Sequence, residues 1–142
     1  MSVANNKIRG LAVALIRQGN KILVSPGHDD IKGTNFYRLL GGGIDFGETS
    51  LEALKREIQE ELHAELKNIK LLEVVENIFT YNGKLGHEFA FIYEAEFEDD
   101  SLYQKLEFDV VEGDEKFKAI WLEINENNSQ QIFPVSKSLS LV

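Results

Sequence analysis

The stretch GGGIDFGETSLEALKREIQEELHA, Gly41 to Ala64, decides how this chain is read. Thr49-Ser50-Leu51-Glu52 has the form of a capping box, a hydroxyl for the free amides of a helix start and, three residues on, a Glu that reaches back. Leu51, Leu54, Ile58 and Leu62 then recur at spacings of three and four, the period of an amphipathic helix. At about 100° per residue, Glu57, Glu60 and Glu61 fall within an arc of about 100°, beside the apolar stripe and not opposite it. Carboxylates crowded there repel one another, the more so where burial lowers the local dielectric. A hard divalent cation, which takes oxygen ligands, reverses the sign of that repulsion. A solvated acidic face is the plainer reading of Glu-rich helices, but the glycines argue against it. Gly41, Gly42, Gly43 and Gly47 supply backbone that approaches a ligand closely, delivered to a helix N-terminus that favours anions.

Outward from this stretch, the remaining sequence bounds the protein class. A length of 142 residues, 43% hydrophobic and 27% charged, suits one globular domain with a real core. There is no cysteine, which excludes disulfides, thiolate catalysis and Cys-type zinc sites and suits a reducing cytoplasm. The apolar run Leu11–Ile16 is short and followed by Arg17, so neither a signal peptide nor a membrane span is expected. A net charge of −9 argues against binding to long nucleic acid. It is no obstacle to small phosphates that arrive carrying metal.

Strands are expected over Ile8–Ile16 and Lys21–Ser25 around a Gln18-Gly19-Asn20 turn, and over Phe36–Leu40 after a polar loop from Pro26 to Thr34. Ile69–Tyr81 and Glu88–Phe97 bracket the turn signal Asn82-Gly83, with a link to Glu88 longer than a tight turn. Glu98–Asp114 reads as an acidic surface loop with a short strand at best, and Phe117–Ile124 as a strand. Asn125–Gln131 reads as a helix start and Ser136–Val142 as another short helix. This order implies a mixed sheet packed between helices, an α/β class.

Around the central stretch, Arg38 reads either as a phosphate contact or as an exposed strand arginine. Arg9 and Lys21 read as surface charges. His28, His63 and His87 have no ligand spacing, and His87-Glu88 is placed at the mouth of the site. Phe79, Tyr81, Phe89 and Trp121 suit either base stacking or the core. Phe133-Pro134 is a candidate pocket cap. No Ser-His-Asp spacing or G-x-S-x-G appears, which leaves metal-assisted attack by water as the chemistry to expect.

The same stretch resembles the signature box of the Nudix hydrolases, G-x5-E-x7-R-E-U-x-E-E-x-G-U with U a bulky aliphatic. Gly42, Glu48, Arg56, Glu57, Ile58, Glu60 and Glu61 stand in register. His63 replaces the final Gly, Ala64 the last aliphatic, and Leu40 the Pro of the usual lead-in. The resemblance implies an α/β/α sandwich around a mixed β-sheet, one domain over residues 1–142, and Mg2+ or Mn2+ as cofactor. It implies Glu57, Glu60 and Glu61 as metal ligands with the Gly41 carbonyl, Glu57 alternatively as general base, and Arg56 orienting the carboxylates with Glu48 behind it. A further acid is expected from a later loop, Glu115 by position, with Glu107, Glu112 and Asp114 as competitors; Arg38, Gly42 and Gly43 are expected at the substrate. The implied activity is hydrolysis of a nucleoside diphosphate linked to another moiety: a nucleoside triphosphate, ADP-ribose or a nucleotide sugar, or a dinucleoside polyphosphate. The competing expectation is a non-catalytic nucleotide-binding sensor or scaffold. RNA decapping is disfavoured by the missing basic surface, and a homodimer is implied only by the resemblance.

Overall fold

A computed structural model describes residues 6–128 and 131–134. Strands β1 (Ile8–Gln18), β2 (Lys21–Asp29) and β3 (Thr34–Gly43) lead into helix α1 (Ser50–Leu62). Strands β4 (Leu66–Tyr81) and β5 (Lys84–Phe97) follow. After a 3-10 turn at Asp100–Gln104 come β6 (Glu107–Glu112), β7 (Glu115–Glu123) and the short β8 (Ile132–Phe133). The strands join in the order β4-β5-β1-β3-β2-β7-β6, with β8 beside β3. Pairing is antiparallel except for β1 with β5 and β3 with β8, so the sheet is mixed.

The unbroken apolar run of β1 is explained by burial on both faces. Ala12, Ala14 and Ile16 pack with Ala53, Leu54 and Ile58 of α1. Val13 and Leu15 point the other way, into a second cluster with Val24, Leu39, Ile92 and Ile132. Among the described residues α1 is the single α-helix, and it covers the first face. The short helix expected over Ser136–Val142 lies outside the described residues.

Three expectations about elements are corrected, and the short strand allowed for in the acidic segment is found. The loop expected from Pro26 is strand through Asp29, with only residues 30–33 turning. Pro26 is accommodated because β7 pairs with β2 only as far as Val24, which leaves one edge of the strand open. Asn82-Gly83 is a tight two-residue turn, and β5 begins at Lys84; both residues have positive φ, as the hairpin twist demands. The acidic segment holds a six-residue strand, β6, because Phe108 and Val110 alternate inward beneath β7. Where a helix is expected from Asn125, residues 126–128 form a turn; 129 and 130 lie outside the described residues. The Asn125 Oδ1 accepts from the amides of Asn127 and Asn128 at 2.8 and 3.1 Å, an Asx turn that competes with helical pairing.

Candidate functional site

The glycine turn is set by contacts that a side chain would block. At Gly41 (φ 143°) a Cβ would lie 2.1 Å from the Ala12 carbonyl of β1, and at Gly42 it would lie 2.5 Å from the Glu57 carboxylate. The strand therefore runs directly beneath the acidic helix. Thr49 caps α1, its hydroxyl accepting from the Glu52 amide while the Glu52 carboxylate accepts from the Thr49 amide. The far end closes on His63 in the left-handed conformation (φ 53°, ψ 42°), where a glycine would carry less strain.

Between these ends the three glutamates meet different surroundings. Glu61 is 3% exposed, and its Oε1 accepts from the Gly41 amide at 3.1 Å. Burial first, then the charges of Glu57 and Glu112, push its pKa up to about 8, against the opposing pull of Arg38. Glu57 is half-buried and its carboxyl is raised chiefly by burial, although Arg56 Nη1 donates to it at 2.9 Å. Glu60 is more open and receives longer hydrogen bonds, of 3.3 and 3.4 Å, from the same nitrogen.

Arg56 is the hub of this face. Its Nε and Nη2 donate to the two oxygens of Glu48 at 3.1 and 2.6 Å, a bidentate pair, and Nη2 also donates to the Gly43 carbonyl at 2.9 Å. The hydrogen bond with Glu48 is the main reason the guanidinium is held charged, and it holds the Glu48 carboxyl below its usual range.

Two cavities meet at the glycine turn. An acidic one is lined by Glu57, Glu60, Glu61 and Glu112. The other, of about 390 Å³, is lined by Phe36, Phe79, Tyr81 and Phe133 toward one end and by Arg38, Gly41 and Glu88 elsewhere. Arg9, Gly42 and Glu112 line both. Phe36 meets Tyr81 and Phe133 edge to face at 5.6 and 6.0 Å. Arg38 lies over the Phe117 ring at 5.3 Å, and its Nε is buried without a hydrogen-bond partner, which leaves a cation beside the glycine turn with donor capacity to spare.

Of the residues singled out from sequence, Gly41, Gly42, Glu57, Glu60 and Glu61 are brought together, with Arg38 on the adjoining wall and Arg56, Glu48 and Gly43 behind them. Glu115 is not brought in. It opens β7 as an exposed residue, and Glu112, its partner across the hairpin, lines both cavities instead. Arg9, read as a surface charge, lies at the junction of the cavities and pairs with the buried Glu88 at 3.6 Å. The signal for both was positional: Arg9 and Glu88 are register partners on parallel strands, which sequence periodicity cannot reveal. Phe79 and Tyr81 line the aromatic cavity, whereas Trp121 packs against the core and Phe89 stacks on His87.

The donor set fits a hard divalent cation. Glu61 is a buried carboxylate with two acidic neighbours, and the charge of Arg38 does not offset them. Among the described residues no three such side chains are yet gathered into a ready-made ligand cluster.

A mixed sheet with a capped acidic helix laid over a glycine turn defines the class. Residues 7–140 match the model of the NUDIX domain, and the chain belongs to that family of hydrolases. It is 30% identical over 84 residues to the RNA pyrophosphohydrolase of Pelagibacter ubique (strain HTCC1062), 56% of this chain. That match spans about half, 51%, of the relative's length. A MutT NUDIX hydrolase from Burkholderia pseudomallei superposes with a TM-score of 0.63 at 26% identity, covering 96% of this chain and 95% of its own. A NUDIX hydrolase from Nitrosomonas europaea gives 0.61 at 19% identity, covering 95% and 87%, a likeness of fold alone.

Proposed function

We propose that the protein is a divalent-metal-dependent pyrophosphohydrolase acting on a nucleoside diphosphate linked to another moiety. One observation carries this reading: an aromatic-walled cavity and an acidic cavity share Arg9, Gly42 and Glu112. A planar base stacked among Phe36, Phe79, Tyr81 and Phe133 would thread its phosphates past Arg38 toward the carboxylates.

Glu57, Glu60, Glu61 and the Gly41 carbonyl would hold Mg2+ or Mn2+, with Glu112 facing them. When bound, the metal would neutralise phosphate charge and acidify water. The chain's own residues do the rest. Arg56 fixes the Glu57 carboxylate and keeps Glu48 from the cation. Arg38 holds a phosphate oxygen, and a carboxylate at the junction, Glu112 or Glu57, takes the proton of the attacking water. One water adds across the P–O–P linkage: the new P–O bond forms, the bridging bond breaks, and two phosphorylated products leave.

The test is chromatographic detection of the two phosphorylated products, with and without Mg2+ or Mn2+, from a panel of GTP, ADP-ribose and diadenosine tetraphosphate, for the wild type and Glu57→Gln. Metal-dependent turnover that falls at least a hundredfold in the variant supports the reading. Tight binding with no turnover would instead favour a nucleotide sensor. The Pelagibacter relative's name motivates a second substrate, the triphosphorylated 5′ end of RNA, which joins the panel. The charge of −9 weighs against it, since counterion release would contribute little to RNA affinity.

A further inference from the structure

We infer that Asp29 is a positioning residue for substrate, tying two hairpin tips together so that the walls of the aromatic cavity keep their spacing. The inference rests on reading that cavity as the substrate's. The two hairpins, β2–β3 and β4–β5, are not neighbours in the sheet, because β1 lies between β5 and β3. Their tips nevertheless meet, and Asp29 is the centre of the contact. Asp29 is 3% exposed. Oδ1 accepts from the amides of Ile31 and Lys32 within its own turn, at 3.0 and 2.9 Å. Oδ2 accepts from the amide of Asn82, in the other turn, at 3.1 Å.

The contact is reciprocal. The Asn82 side-chain oxygen accepts from the Asp30 amide at 2.8 Å, and Lys32 Nζ donates to the Thr80 carbonyl at 2.7 Å. One buried carboxylate thus satisfies three amides, two on its own turn and one on the facing tip. A neutral replacement cannot do this equally well, because an amide nitrogen would face donors with a donor.

What the latch spans is the cavity itself. Asp29, Lys32, Thr80 and Tyr81 all line it, together with Phe36. Phe36 sits on β3 and Tyr81 on β4, so their 5.6 Å edge-to-face contact joins the two hairpins that Asp29 ties. Released tips would let these rings part, and a planar group held between them would lose contact on one side. The carboxylates of α1 lie at the other end and are untouched. The latch should therefore act on substrate affinity and leave the chemical step alone.

The experiment is steady-state kinetics with Mg2+ on whichever of GTP, ADP-ribose or diadenosine tetraphosphate the unmodified protein turns over fastest. Asp29→Asn should raise KM about fivefold with kcat held, the scale set by one weakened charge-assisted hydrogen bond. Asn82→Gly removes the reciprocal acceptor while keeping the positive φ of that turn, and should raise KM in the same direction, which covers the case that Asp29→Asn does not fold. Phe97→Leu, in the core away from the cavity, supplies a destabilised control whose KM should stay unchanged. An unchanged KM in both latch variants, or an equal rise in the control, overturns the inference. Absence of turnover by the unmodified protein overturns the reading of the cavity, and the inference with it.

Discussion

The metal-free protein should lose stability as pH rises from 5 to 8, and Glu61 is the reason. Its folded-state pKa is pushed up to about 8 from a usual value of 4.5, so between those values the folded chain holds a proton that the unfolded chain has released. Stability therefore falls with rising pH across that window, and below about 4.5 the effect vanishes. At 1.36 kcal/mol per pH unit, the penalty at pH 7 is on the order of 3 kcal/mol. Glu57 and Glu88, both raised chiefly by burial, act in the same direction. Glu48 and Asp29, whose carboxyls are lowered, contribute stability that is lost only at acid pH, below this window. For a chain of this size about 3 kcal/mol corresponds to roughly 10 °C in Tm. The assay is thermal unfolding in EDTA at several values between pH 5 and 8.5, for the wild type and Glu61→Gln. The wild type should fall steeply, the variant should be flatter, and millimolar Mg2+ should restore the wild type alone. A wild-type profile as flat as the variant's, or Mg2+ stabilising both equally, would refute the argument that these carboxylates are strained without a cation.

Two substitutions test the glycine turn and the helix end. Gly42→Ala places a Cβ 2.5 Å from the Glu57 carboxylate, so that carboxylate must move, and metal-dependent turnover should drop at least tenfold while the circular dichroism spectrum is kept. His63→Gly relieves a left-handed residue at the end of α1 and should raise stability by about 0.5–1 kcal/mol in urea unfolding, with turnover unchanged.

Local chemistry made the acidic helix legible from sequence. A capping box, a three-four apolar period and a glycine run each act within a few residues, and α1 begins and ends where they place it. The acids of the box were equally plain, since helical spacing alone puts them on one edge. What stayed hidden depends on pairing at a distance. Glu112 enters the site because β6 turns through Gly113-Asp114 and runs back along β7; the sequence offered four acids there, and position alone favoured Glu115. Glu88 is buried because parallel pairing sets it beside Arg9. Asp29 looked like a loop residue because Asp and Gly mark turns; its partner amide lies 53 residues away. At Asn125 the expected helix start is a turn for the opposite reason, since a side chain able to cap a helix also closes an Asx turn.

The three glutamates of the box are chemically identical, and the fold makes them unlike. Arg56 divides its donors among Glu48, Glu57 and Glu60 and makes no hydrogen bond with Glu61. Glu61 is left buried, with one backbone amide for a partner and acids on either side. An arginine placed to reach it would have offset that repulsion. Stability in the metal-free state is thus lowered at the point where the acidic cavity meets the aromatic-walled one. A polyphosphate alone would add negative charge there and be repelled; a polyphosphate carrying a divalent cation brings the charge that the carboxylates lack. That complementarity makes metal and substrate binding mutually reinforcing, so the apparent affinity for the nucleotide should rise with Mg2+ concentration even in a variant that cannot turn it over.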